Sequence, residues 1–182
     1  MSIRRKYIRS LTEDILRRQR IRRGKVPVDE IAESLGITIQ RDNFDGGDTD
    51  DISGFLFRNK ATGRAVIGVN ASQGAERQRF TIAHELGHFL LHEGDTVHVD
   101  RDFRVKLRNS KSSEGTDREE KEANLFAAEL LMPERFLDEE LRSVSGIDLL
   151  DDEKELAGLA NRYGVSQQAL MFRLNYLGYI EL

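Results

Sequence analysis

The chain of 182 residues contains four histidines, and three of them, His84, His88 and His92, fall within nine positions; the fourth is His98. The run His84-Glu85-Leu86-Gly87-His88 has the H-E-x-x-H spacing. On a helix, four residues advance about 6 Å and turn about 400°, so both imidazoles leave one face and can share a metal ion. Glu85 projects about 100° around from His84. There it can take a proton from a metal-bound water without being a ligand. The chemistry implied is metal-assisted hydrolysis, with His84 and His88 as ligands and Glu85 as the catalytic base. His92 extends the series, but its backbone is about 12 Å along the axis from that of His84, while ligand atoms must come within about 2.1 Å of the ion. The chain also lacks the glycine turn of H-E-x-x-H-x-x-G-x-x-H, which folds a third histidine back. His92 is expected to pack, or to hold a ligand, rather than to bind metal.

The chain has no cysteine, so the third ligand must be a nitrogen or oxygen donor from another element. The best source is the run EEKEANLFAAE, Glu119 to Glu129. Ala123, Phe126, Ala127 and Leu130 make its apolar stripe, and helical steps backwards from Ala127 and Ala123 reach Glu120. Glu119 lies near the stripe's edge, and Glu122, about 200° around from Glu120, is expected on the outer side. Spacing favours Glu120 and leaves Glu119 and Glu122 as alternatives. Gly87 costs about 1 kcal/mol against alanine in a helix, and close packing against these alanines would account for it. Two imidazoles, one carboxylate and an open position suit Zn2+ best, with Mn2+ or Co2+ possible. A donor for the tetrahedral oxyanion is also expected; His98, Tyr163 and Tyr176 are candidates.

The elements that must position these groups are readable in outline. Residues 75–92 predict a helix apolar on several faces and hence buried, and a second helix over Arg118–Met132 ends at Pro133. Ahead of them, Ile3, Tyr7, Leu11 and Ile15 recur every four residues in a basic amphipathic helix. A second helix, Val28–Leu35, is stopped by Gly36, and a strand follows at Ile37–Arg41. An Asp/Gly-rich loop covers Asp42–Asp51. Gly54–Phe57 and Ala65–Val69 read as strands of a hairpin turned at Asn59–Gly63. If Ala65–Val69 is an edge strand, it can take an extended substrate by strand addition. The polar stretch Gly94–Asp117 reads as a mobile loop with a short strand near Val97–Val105. Helices at Lys154–Tyr163 and Gln167–Leu177 are separated by Gly164-Val165-Ser166. The fold class is α+β: a small antiparallel sheet packed on helices, followed by a C-terminal helical segment of helix-turn-helix cadence. Domain boundaries are expected at 1–136 and 137–182.

Net charge is −4, but residues 1–25 hold ten Lys or Arg against Glu13 and Asp14, a net of +8 that leaves −12 for the remainder. The basic face is either solvated or a contact for nucleic acid or an acidic partner. No apolar run has the length of a membrane span, and no apolar segment follows the basic N-terminus as a secretory signal requires. A cytoplasmic protein without a membrane partner is expected.

Beyond single motifs, the chain resembles the ImmA/IrrE family of metallo-endopeptidases. The resemblance runs through VPVDEIAESLGITI, SGFLFRNKATGRAVIGVN, RQRFTIAHELGHFLLH, EEKEANLFAAELLMP and LAGLANRYGVSQQALMFRLNYLGYI. It implies a zincin-like metallopeptidase domain with a gluzincin-like site, in which His84 and His88 are ligands and Glu85 is the base. The third ligand in the family opens an E-x-x-A-N pattern, which here implies Glu120, with Asn124 orienting a metal-bound histidine. The substrate class implied is a helix-turn-helix transcriptional repressor. The competing reading is a DNA-binding regulator with a structural or inactive metal site, since LANRYGVSQQALMFRL has helix-turn-helix cadence. Against it, Arg173 is the sole basic residue of the second helix, and the flanking tail is acidic, so nucleic acid is not the expected partner.

Overall fold

The basic N-terminal segment folds as a helix, α1 (Arg5–Arg18), in a computed structural model that describes residues 2–44, 52–59, 61–93, 97–101, 114–143 and 153–181. Its buried face is Ile8, Thr12, Ile15 and Leu16, whereas Tyr7 is exposed. The expected four-residue series misplaces Tyr7 because each such step drifts about 40° around a helix. The second helix, α2 (Val28–Ser34), follows Pro27 and stops at Leu35 and Gly36. Gly36 takes the positive φ of 78° that lets the chain leave the helix.

Four strands form one sheet in the order β1-β3-β2-β4: β1 (Ile37–Asp42), β2 (Ile52–Asn59), β3 (Arg64–Asn70) and β4 (Val97–Arg101). The β2–β3 hairpin is antiparallel with Leu56 opposite Ile67, and β4 is antiparallel to β2 with His98 opposite Leu56. β1 runs parallel to β3, with Ile39 opposite Ile67. The sheet is therefore mixed, not antiparallel as expected. Only β2 and β3 are joined by a tight turn, and alternation along β1 carries no information on its direction. β3 is interior, paired on both sides, so Ala65–Val69 offers no edge for a substrate; the edges among the described residues are β1 and β4.

α3 (Ala75–Leu91) lies across β2 and β3. All eight residues from Thr81 to His88 are buried, the result expected of a helix apolar on several faces. The approach to the sheet is close: a Cβ on Gly54 would stand 2.4 Å from Thr81 Cγ2. α4 (Glu114–Leu131) crosses α3 at Gly87, where a Cβ would lie 3.1 Å from Ala123 Cα and 3.2 Å from Ala123 O. Glycine is what lets these two backbones approach.

α5 (Glu134–Ser143) lies where the sequence predicts only a helix stop. The Pro133 carbonyl accepts from the N–H groups of Phe136 and Leu137 and so opens the next helix. α6 (Glu153–Tyr163) and α7 (Gln167–Leu177) flank a turn at Gly164, φ 64°. Ser166 caps α7, its hydroxyl accepting from Ala169 N–H at 3.1 Å. One apolar cluster extends from Ile8 of α1 through Ile82, Leu86 and Phe126 to Leu170 and Leu174 of α7. The fold is α+β, with seven helices among the described residues. Of the loop expected at 42–51, Asp42 ends β1 and residues 45–51 lie outside the described residues, as does most of the polar stretch expected at 94–117, although 114–117 belong to α4.

Candidate metal centre

The two α3 histidines aim at one point. His84 Nε2 and His88 Nε2 are 3.1 Å apart. From α4, Glu120 places Oε2 3.6 Å from His84 Nε2 and Oε1 3.6 Å from His88 Nε2. Ligands about 2.1 Å from a tetrahedral ion are separated by about 3.4 Å. The three donor groups match that spacing before any adjustment, so a zinc-sized cation fits the set. Among the described residues these three side chains form the one His/Asp/Glu group so disposed.

The far nitrogens of both rings are engaged as a metal ligand requires. His84 Nδ1 lies 3.1 Å from Asn124 Oδ1, which accepts its proton, and His88 Nδ1 lies 3.3 Å from His92 Nδ1. With its proton on Nδ1, His84 is left with an Nε2 lone pair facing the shared point. Burial, reinforced by the neighbouring His84 and His98 rings, drives the His88 pKa down to about 2, so this ring stays neutral.

Glu85 is fully buried one position along α3, and its Oε2 is 3.2 Å from His98 Nδ1. His98 Nε2 is in turn 3.1 Å from Glu120 Oε1. Alternation along β4 turns His98 inward while Val97 and Val99 stay exposed. Burial alone would lower the His98 pKa, but the hydrogen bonds to Glu120 and Glu85 outweigh it and hold the ring at about 9. Of the three residues considered as oxyanion donors, His98 is the one brought here. Tyr163 is buried in α6, with its backbone carbonyl accepting from Arg79. Tyr176 is half-exposed on α7 beneath the guanidinium groups of Arg5 and Arg173.

Glu119 is exposed. Glu122 is not on an outer side as expected but fully buried, because α4 packs against α1 as well as α3. Its Oε2 is 2.6 Å from Arg4 Nη2 and 3.2 Å from His92 Nε2, and its Oε1 accepts from Arg118 at 3.2 Å. Burial would raise this carboxyl, but Arg4, through side chain and backbone N–H, and His92 hold it down at about 2. Sequence reasoning missed these contacts. The available signal was a pair of acids, Glu122 and Glu129, two helical turns apart, and arginines at 4 and 9 at the chain's start. Arg4 meets Glu122 and Arg9 lies 3.6 Å from Glu129. Arg58 of β2 was also missed: its Nη2 donates to His88 O at 2.6 Å and His92 O at 3.2 Å, tying off the end of α3.

Two imidazoles on one helix, a carboxylate from a second, and a buried glutamate beside them form a centre of the metallohydrolase kind. The Peptidase_M78 family model, described as the IrrE N-terminal-like domain, matches residues 32–175. The chain belongs to that family. It is 35% identical over 99 residues to Metallopeptidase ImmA of Bacillus subtilis (strain 168), a match covering 54% of this chain and 53% of that protein. The match thus spans about half the length of this curated relative. A solved structure described as a Mycobacterium tuberculosis transcriptional regulator superposes with a TM-score of 0.59 at 18% identity, covering 92% of this chain and 55% of that one. At that identity the likeness is one of fold. No helix among the described residues is long and apolar enough to cross a membrane.

Proposed function

We propose that the chain is a zinc-dependent endopeptidase that cleaves a helix-turn-helix transcriptional repressor. The observation that carries this reading is the convergence of His84 Nε2, His88 Nε2 and Glu120 beside the buried Glu85 carboxylate. His84, His88 and Glu120 would hold the ion; Zn2+ suits two nitrogens and one oxygen best, with Mn2+ or Co2+ as substitutes. Once bound, the ion would supply Lewis acidity, easing deprotonation of a water and polarising the scissile carbonyl. Glu85 takes the proton of the attacking water and returns it to the leaving amine nitrogen. His98 spans Glu85 and Glu120 with its two ring nitrogens, and it serves the oxyanion that develops on the carbonyl by turning one ring N–H from a carboxylate to it. The edge strand β4, with Val97 and Val99 exposed, is where an extended peptide would add to the sheet.

The repressor as substrate class rests on the ImmA/IrrE family resemblance. An acidic body beyond residue 25 suits a basic DNA-binding substrate. The DNA-binding reading is weakened at α7. Arg173, the basic residue that would meet phosphate, is buried and paired with Glu129 at 2.8 Å.

Zinc content of the purified protein separates the assigned roles. Glu120→Ala should lose metal on dialysis, whereas Glu85→Gln should retain a full equivalent. Full retention in Glu120→Ala would remove it from the ligand set.

A further inference from the structure

We infer that His92 and Glu122 are positioning residues for the metal centre, holding His88 in the tautomer that can bind the ion. The inference rests on the metal-centre reading above. A neutral imidazole that gives Nε2 to a metal must carry its proton on Nδ1, and that proton needs an acceptor. For His84 the acceptor is an amide oxygen. For His88 it is another imidazole, which can accept only if its own proton sits on the opposite nitrogen.

Glu122 enforces that condition. An ionised carboxylate can only accept, so the nitrogen 3.2 Å from Glu122 Oε2, His92 Nε2, must be the protonated one. In the neutral ring His92 Nδ1 is then bare and takes the proton of His88 Nδ1 at 3.3 Å. His88 Nε2 is thereby left free on the side facing His84 and Glu120. Arg4 and Arg118 complete the chain by holding both oxygens of Glu122, with Arg4 donating its backbone N–H at 3.0 Å as well. The side chains of His88, His92 and Glu122 are 3%, 6% and 1% exposed, so water has little access to replace a missing partner. The i, i+4, i+8 histidine series thus has two ligands and one holder. The chain of hydrogen bonds links the first residues of the N-terminal segment to the ion's site.

The test is the zinc affinity of the full chain, measured by competition with a chromophoric chelator for wild type, His92→Leu and His92→Asn. Loss of a ligand's partner typically weakens binding by about 10- to 100-fold, and that is the shift expected for His92→Leu. Asparagine can set its amide oxygen near the position of Nδ1 and accept the same proton, so His92→Asn should stay within a few-fold of wild type. A residue that merely packs gives no such split. Equal affinity in wild type and His92→Leu, or equal loss in both variants, overturns the inference. If His92→Leu does not fold, nitrogen-15 spectra of the zinc-loaded wild type decide. A proton on His92 Nε2 with Nδ1 bare supports the relay, and a proton on Nδ1 overturns it. Failure of the wild type to bind zinc overturns the metal-centre reading and this inference with it.

Discussion

Each titratable side chain at the centre takes its role from the group behind it. Asn124 turns His84, His92 turns His88, and His98 stands between Glu85 and Glu120. His98 is therefore the residue whose removal should affect turnover more than assembly. His98→Ala is expected to lower kcat by about 10²- to 10³-fold, the usual cost of losing one oxyanion donor, with zinc still bound. Steady-state kinetics on a cleavable peptide would check this, and an unchanged kcat would assign the oxyanion to another donor. At this scale the sequence was legible where chemistry is contiguous: His84, Glu85 and His88 share one helical turn. Glu120 could be favoured from its stripe, but separating it from Glu119 and Glu122 required knowing which faces of α4 are covered. Glu122 faces α1, and no periodicity within α4 announces the arrival of Arg4.

At the scale of elements, the site depends on how closely α4 approaches α3. A Cβ on Gly87 would meet Ala123 Cα at 3.1 Å and Phe126 Cβ at 3.2 Å, so a branched side chain has no room. Gly87→Val is expected to cost about 1–3 kcal/mol through overpacking and to weaken zinc binding, because Glu120 moves with α4. Denaturant unfolding of the metal-free protein measures the first effect and chelator competition the second. A variant as stable as its parent would mean that the helices do not depend on this contact. The same dependence on packing explains what was and was not legible. α3 and both tail helices follow their apolar periods, and Gly36, Gly164 and Ser166 mark turns that local chemistry alone defines. The parallel direction of β1 is different, since strand pairing is set by what lies beyond the strand. Pro133 likewise ends one helix and begins another, and only the burial of Phe136 and Leu137 beyond it distinguishes the two outcomes.

Across the whole molecule, the contrast between a +8 start and a −12 remainder is partly consumed internally. Arg4 pairs with Glu122, and Arg9 with Glu129 and Glu134, so the basic segment is fastened to the acidic side of α4 and α5. Residues such as Arg5, Lys6, Arg17 and Arg18 stay exposed on its outer face. A pair buried on both sides, Arg173 with Glu129, fastens α7 to α4 and removes the cation that a DNA-reading helix would need. Such an arrangement leaves α7 without the surface charge that reading DNA requires. The direct measurement is intact-mass analysis of purified helix-turn-helix repressors after incubation with the zinc-loaded full chain. Wild type should produce a single internal cut, abolished by chelator and by Glu85→Gln even though that variant keeps its zinc. Cleavage that persists undiminished in Glu85→Gln, or an intact repressor alongside duplex-DNA binding that ignores chelator, would contradict the proposed function.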